Sequence, residues 1–236
     1  MENALDIDSD DATDLIAEIE KAFDIKISDD EAERCETVGD VFAVIRSHMN
    51  VVERDKALPC FSAATFRALR RAVTERDPST NVTPKTSIEV ICGSREPKKV
   101  WRYLETHSGL KLPLLWPAKI TEISALLILI STSISLTWIG VNAWDALATS
   151  FLVGLLIGAV IAVLVLKFGP ARIPEEITTL GDLASAATNL NIGVLANQFG
   201  AVRHHDVWSS LVYIVNRYVP SNKRINAETR FSPKRS

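Results

Sequence analysis

Apolar positions fall into three kinds of pattern along this 236-residue chain. From Asp14 to Phe23 they recur at 15, 16, 19 and 23, the stripe of an amphipathic helix, with Asp8, Ser9, Asp10 and Asp11 ahead of it as N-cap and first-turn residues. Ile25 and Ile27 alternate with Lys26 in a short extended link, and Thr37 is placed to cap a helix that turns Val41, Phe42 and Ile45 inward. Further helical stripes lie at 63–73, 99–105 and 207–215. The third pattern is two uncharged runs, 123–142 and 146–166, separated only by Ala143, Trp144 and Asp145. Twenty residues at about 1.5 Å each match a hydrocarbon core of roughly 30 Å, so a transmembrane helical hairpin is expected. The fold class read from these patterns is all-α, helical bundles plus that hairpin.

Charge adds an orientation. Lys111 and Lys119 precede the hairpin, Lys167 and Arg172 follow it, and Asp145 alone marks the turn. The positive-inside rule then puts the chain in the inner (cytoplasmic) membrane as a two-span protein with both termini cytoplasmic and the bilayer as a partner. Trp138 and Trp144 fit the outer interface. Gly154 and Gly158 form a small-residue step that suits packing within the hairpin, or self-association into a homo-oligomer. Charge is also uneven along the chain: residues 1–40 carry 15 acidic and 3 basic side chains, residues 41–120 carry 7 and 14. No basic stretch interleaves aromatics, which argues against nucleic acid as a partner.

Few residues offer catalytic chemistry. Cys35, Cys60 and Cys92 are odd in number and read as reduced thiols. His48, His107, His204 and His205 have no metal-ligand spacing with them, and neither a phosphate loop, a nucleophile elbow nor a zinc-protease motif is present. A non-enzymatic protein is expected.

One set of segments is more specific. Asp8-Ser9-Asp10-Asp11, Phe23-Asp24-Ile25-Lys26-Ile27, Glu31-Ala32-Glu33 and Thr37-Val38-Gly39-Asp40 resemble the second and third helices of an acyl carrier protein. That resemblance implies a small helical bundle without an active site, whose serine carries a 4'-phosphopantetheine arm. By this resemblance Ser9 is the attachment residue, and Asp11, Asp14, Glu18 and Glu20 form the acidic helix that meets a protein partner. Asp10 stands where the family has Leu, and the family's long first helix does not precede Asp8. Ser94 occupies the same register in a second segment, 19 residues before Pro113 as Ser9 is 19 before Ser28. Lys98, Lys99 and Arg102 give that segment the opposite charge.

Other segments complete a repeat. Residues 63–73 with 77–88, and 207–215 with 220–231, each resemble a carrier's first helix and following loop, and 173–183 repeats 33–41. The chain reads as two carrier-like copies, each ordered helix two, helix three, helix one, with the hairpin interrupting the second. The expected organisation is a cytoplasmic carrier-like region at 1–117, the hairpin at 118–168, and a helical region at 169–236 completing the second copy. Two functions follow: a membrane-anchored carrier presenting a phosphopantetheine-linked acyl group, or a cofactor-free scaffold of carrier descent that binds a protein partner at the membrane.

Overall fold

The computed structural model describes residues 4–5, 7–53, 58–93, 97–118, 123–124, 126–128, 130, 144–219 and 223–232. These residues are mostly helical. The helices are α1 (Ser9–Phe23), α2 (Asp29–Arg34), α3 (Val38–His48), α4 (Phe61–Arg76), α5 (Ile88–Cys92), α6 (Pro97–Ser108), α7 (Trp144–Phe168), α8 (Leu180–Leu190), α9 (Ile192–Phe199) and α10 (His204–Val215). Four two-residue strands depart from a purely helical fold: β1 (Val51–Val52), β2 (Trp116–Pro117), β3 (Ala171–Arg172) and β4 (Val202–Arg203). β1 pairs with β4 in parallel, and β2 with β3 in antiparallel register.

The membrane assignment is corrected. Among the described residues no helix is long and apolar enough to cross a membrane, which overturns the two-span hairpin and the cytoplasmic-membrane localisation with both termini inside. The run at 146–166 does become helical within α7. Most of the run at 123–142, including Trp138, lies outside the described residues. Lack of charge is an insufficient criterion, because a span needs a continuous apolar helix and not merely an uncharged stretch.

The chain divides into two compact units. Met1–Ser87, Tyr103–Pro113 and Thr179–Ser236 form the first; Ile88–Arg102 and Leu114–Thr178 form the second. In the second, the β2–β3 ladder carries Arg172 over the ring of Trp116 at 5.3 Å. Leu152, Leu156, Val160 and Val163 of α7 are exposed, and Gly158 is buried.

The first unit gathers its core from distant parts of the sequence. The stripe of α1 buries Leu15, Ile19 and Phe23, and α3 buries Val38, Val41 and Ile45. Both share one apolar cluster with Val207, Leu211, Ile214 and Val215 of α10. Phe42 meets Trp208 edge-on at 5.3 Å, the geometry aromatic quadrupoles favour. A strap at 223–231 closes the same region: Leu5 N donates to Arg230 O (2.8 Å), Ile7 N to Phe231 O (3.0 Å), Val38 N to Thr229 O (2.9 Å) and Gly39 N to Ala227 O (2.9 Å). Thr37 caps α3 in a reciprocal box with Asp40, which satisfies N-terminal amides that helical bonding cannot reach.

A matching construction occurs a second time in this unit. Thr179 and Asp182 form the same box at the start of α8. Leu180 N donates to Thr86 O (2.9 Å) and Gly181 N to Pro84 O (2.8 Å), as Val38 and Gly39 do to their strap. Thr86 Oγ1 accepts from Thr83 N, as Thr229 Oγ1 accepts from Asn226 N, both at 2.9 Å. α4 packs along α8, burying Leu69, Ala72 and Val73. A third correspondence lies 85 residues apart: Asp24 and Gly109 both have positive φ, 53° and 69°. Each follows a helix whose glutamate, Glu20 or Glu105, accepts the backbone N–H of Ile27 (2.8 Å) or Leu112 (3.2 Å).

Candidate functional site

The site begins where α1 begins. Asp8 is the N-cap, in extended backbone, and its Oδ1 accepts from Asp10 N (3.0 Å) and Asp11 N (2.8 Å). Aspartate is among the best residues for this task, because its short side chain reaches amides that have no helical acceptor. Ser9 is therefore the first residue of α1 and not its cap. The amide dipoles of a 15-residue helix converge there and favour an anionic group at the N-terminus. A phosphodiester fits that position, although Asp10 and Asp11 bring opposing charge to the first turn. Ser94 lies outside the described residues.

The four acidic residues expected on the partner-binding helix divide into two pairs. Asp11 and Asp14 are exposed. Glu18 is instead engaged within the fold, ion-paired with Arg217 and accepting from Tyr218 Oη at 2.9 Å. Burial, together with the Glu18 acceptor, pushes the Tyr218 phenol above its ordinary range. Glu20 holds Lys26 Nζ (2.8 Å) and Ile27 N (2.8 Å). The Lys26 hydrogen bond and the Ile27 amide lower its pKa against the opposing effect of burial. Glu20 thus shapes the link after α1, while Asp11 and Asp14 face outward.

Sequence reasoning did not find Arg217 and Tyr218, which lie 199 and 200 residues from Glu18; a helix-end basic residue was the only signal. It also missed Asn191, almost fully buried. Its Oδ1 accepts from Lys111 N (2.9 Å) and its Nδ2 donates to Lys111 O (2.8 Å) and Ala187 O (2.6 Å). One amide side chain therefore clamps the 109–113 loop to the junction of α8 and α9.

α2 adds a titratable element. Ser28 and Glu31 form its capping box, and Glu31 Oε1 also lies 3.0 Å from His48 Nε2. The Ser28 amide, its hydroxyl and then His48 hold the Glu31 carboxyl down at about 2. Its folded pKa is depressed, so the stability it adds is present above the ordinary carboxylate value of 4.5 and is lost as pH falls toward 2. Carboxyl-carbon NMR is expected to show Glu31 titrating near pH 2, and Glu31→Gln to remove that transition. Titration at the ordinary value would mean the box does not hold in solution.

Comparison with known proteins agrees with this geometry. Residues 3–45 match the family model described as a phosphopantetheine attachment site. The acyl carrier protein of Lactobacillus johnsonii is 43% identical over 49 residues, which cover 21% of this chain and 61% of that protein. The acyl carrier proteins of Lactobacillus acidophilus and Chlamydia trachomatis serovar L2 are each 48% identical over 46 residues, 20% of this chain and 58% or 60% of theirs. The chain thus spans about three fifths of the length of these relatives. No solved structure matches. The start of the chain is an acyl-carrier-like region, and domains of that kind are carriers without catalytic activity of their own. The matched segment ends at residue 45, yet its core is completed by α10 and the 223–231 strap.

Proposed function

We propose that this protein carries acyl groups on a 4'-phosphopantetheine arm attached through the Ser9 hydroxyl. The observation that carries the reading is the start of α1: Asp8 caps the helix and Ser9 is its first residue. When bound, the arm supplies a terminal thiol that holds an acyl group as a thioester. Asp11 and Asp14, the outward-facing acids of α1, would meet a basic partner enzyme, while Glu18 and Glu20 maintain the link and the contact with α10. The recurrent boxes, straps and left-handed caps support reading 61–112 and 179–190 as a second carrier-like copy, with the 114–178 segment inserted between Pro113 and Thr179. That copy has Lys99 where the first has Asp14, with Lys98 and Arg102 beside it, which favours Ser9 over Ser94 for attachment.

Incubation with coenzyme A and a phosphopantetheinyl transferase, followed by intact-mass analysis, tests the assignment. One phosphopantetheine increment is expected on the native chain and none on Ser9→Ala. Because Asp8 provides the cap, Asp8→Ala is expected to cost about 1 kcal/mol. Absence of the increment, or its persistence in Ser9→Ala, would sink the assignment. A native chain that resists loading yet still binds a protein through Asp11 and Asp14 would instead be a cofactor-free scaffold.

A further inference from the structure

The geometry points to a second ligand site, independent of Ser9: a cavity between α4 and α9 that binds a straight-chain carboxylate. Its volume is about 490 Å³, within the range of about 300–1,000 Å³ common for small-molecule sites. Ala64 and Ala68 of α4, Leu110, and Leu195 and Phe199 of α9 supply apolar walls. Phe199 is held in place by stacking on Phe61 at 5.5 Å. Arg67 and Arg71 line the same cavity. Four residues apart, they project from one face of α4. Arg67 Nε donates to Ala63 O (3.1 Å), and neither guanidinium is paired with a carboxylate among the described residues. The Thr65 hydroxyl, also in the lining, is already engaged by Thr188 at 3.0 Å. Ser108 and Gln198 are neutral members of the lining, so the positive charge that an anion requires comes from the two arginines, whose planar forks match a carboxylate.

Comparison with α10 strengthens the assignment. α4 and α10 play equivalent parts in the two constructions, and their buried faces correspond 142 residues apart: Leu69 with Leu211, Val73 with Val215. At the cavity the match fails. Arg67, Ala68 and Arg71 correspond to Ser209, Ser210 and Tyr213, so paired cations beside small walls belong to α4 alone. Packing does not require that difference, whereas an anionic head with an apolar tail would use both halves of it. A compact phosphate would leave the apolar walls unused, and a neutral chain would leave the guanidiniums without a partner.

The test uses full-length Ser9→Ala protein, so that no arm competes for the site. Decanoate below its micellar concentration is titrated by calorimetry and by amide NMR, alongside decanol and acetate, each of which lacks one half of the ligand. Saturable decanoate binding with shifts at Leu110, Leu195 and Phe199 is expected, and at least tenfold weaker binding of the other two. Arg67→Gln with Arg71→Gln is expected to weaken decanoate at least tenfold, and the arginines are exposed, so the fold should survive. Ala68→Leu fills the cavity without touching charge and should weaken binding as much; it decides the matter should the double variant unfold. No decanoate binding, shifts located elsewhere, or equal affinity in Ala68→Leu would overturn the proposal.

Discussion

Removing residues 201–236 is expected to unfold α1 and α3, although the sequence matched by the phosphopantetheine attachment family stays intact in the truncated chain. The deleted segment contributes Val207, Leu211, Ile214 and Val215, each fully buried in the cluster that also covers Leu15, Ile19, Val41 and Ile45. Each such side chain adds roughly 1.5–3 kcal/mol on burial, so the four together rival the 5–15 kcal/mol that typically holds a domain folded. The deletion also strips the backbone partners of Leu5, Ile7, Val38 and Gly39. Without them, α1 and α3 keep only α9 and Phe61 of that cluster, too little apolar surface to hold them folded. Hydrogen exchange on the truncated chain should show α1 and α3 without protection. Supplying 201–236 as a separate peptide should restore it. Native-like protection in the truncated chain alone would mean that the region does not depend on α10.

How much of this was legible in the sequence depends on the distance over which each interaction acts. Capping chemistry is local, so the capping segment at 8–11 ahead of α1 and Thr37 with Asp40 at α3 could be read from adjacent residues, although which of the four is the cap could not. The periodicities of α1, α3 and α10 were equally plain, because a helix shows its buried face in its own spacing. The stripe at 207–215 that covers α1 and α3 could also be read. Pairings between polar groups could not. Glu18 has the same acidic character whether it faces a partner enzyme or Arg217 and Tyr218, and only the fold brings the three together. Asn191 looked like any polar residue until the 109–113 loop was seen to need its amide. The uncharged runs failed for a different reason. Absence of charge is a property of composition, whereas crossing a bilayer requires a continuous apolar helix.

Gly193→Ala is expected to be strongly destabilising, even though alanine is the better helix former. An added Cβ at this position in α9 would lie 2.0 Å from Phe23 O, 2.1 Å from Phe23 C and 2.6 Å from Asp24 N. All three are backbone atoms at the end of α1, where Phe23 is buried and Asp24 holds the left-handed cap at φ 53°. No side-chain rotation relieves such a clash, so α9 must move away from α1. Its neighbours resist that movement: Ile192 is fully buried, and Asn197 Nδ2 holds Asp24 Oδ2 at 3.0 Å. Overpacking costs about 1–3 kcal/mol and more where backbone must shift, against a helix-propensity gain of about 1 kcal/mol. The expected net loss is about 2 kcal/mol, roughly a 30-fold fall in the folded-to-unfolded ratio. Gly200→Ala separates this effect from backbone strain, because Gly200 has φ 81° and open space around its Cβ position. That variant should lose only the roughly 1 kcal/mol of a left-handed conformation. Urea titration followed by circular dichroism compares the two directly. A Gly193→Ala chain as stable as the native one would show that α9 does not lie against the end of α1 as closely as these distances require.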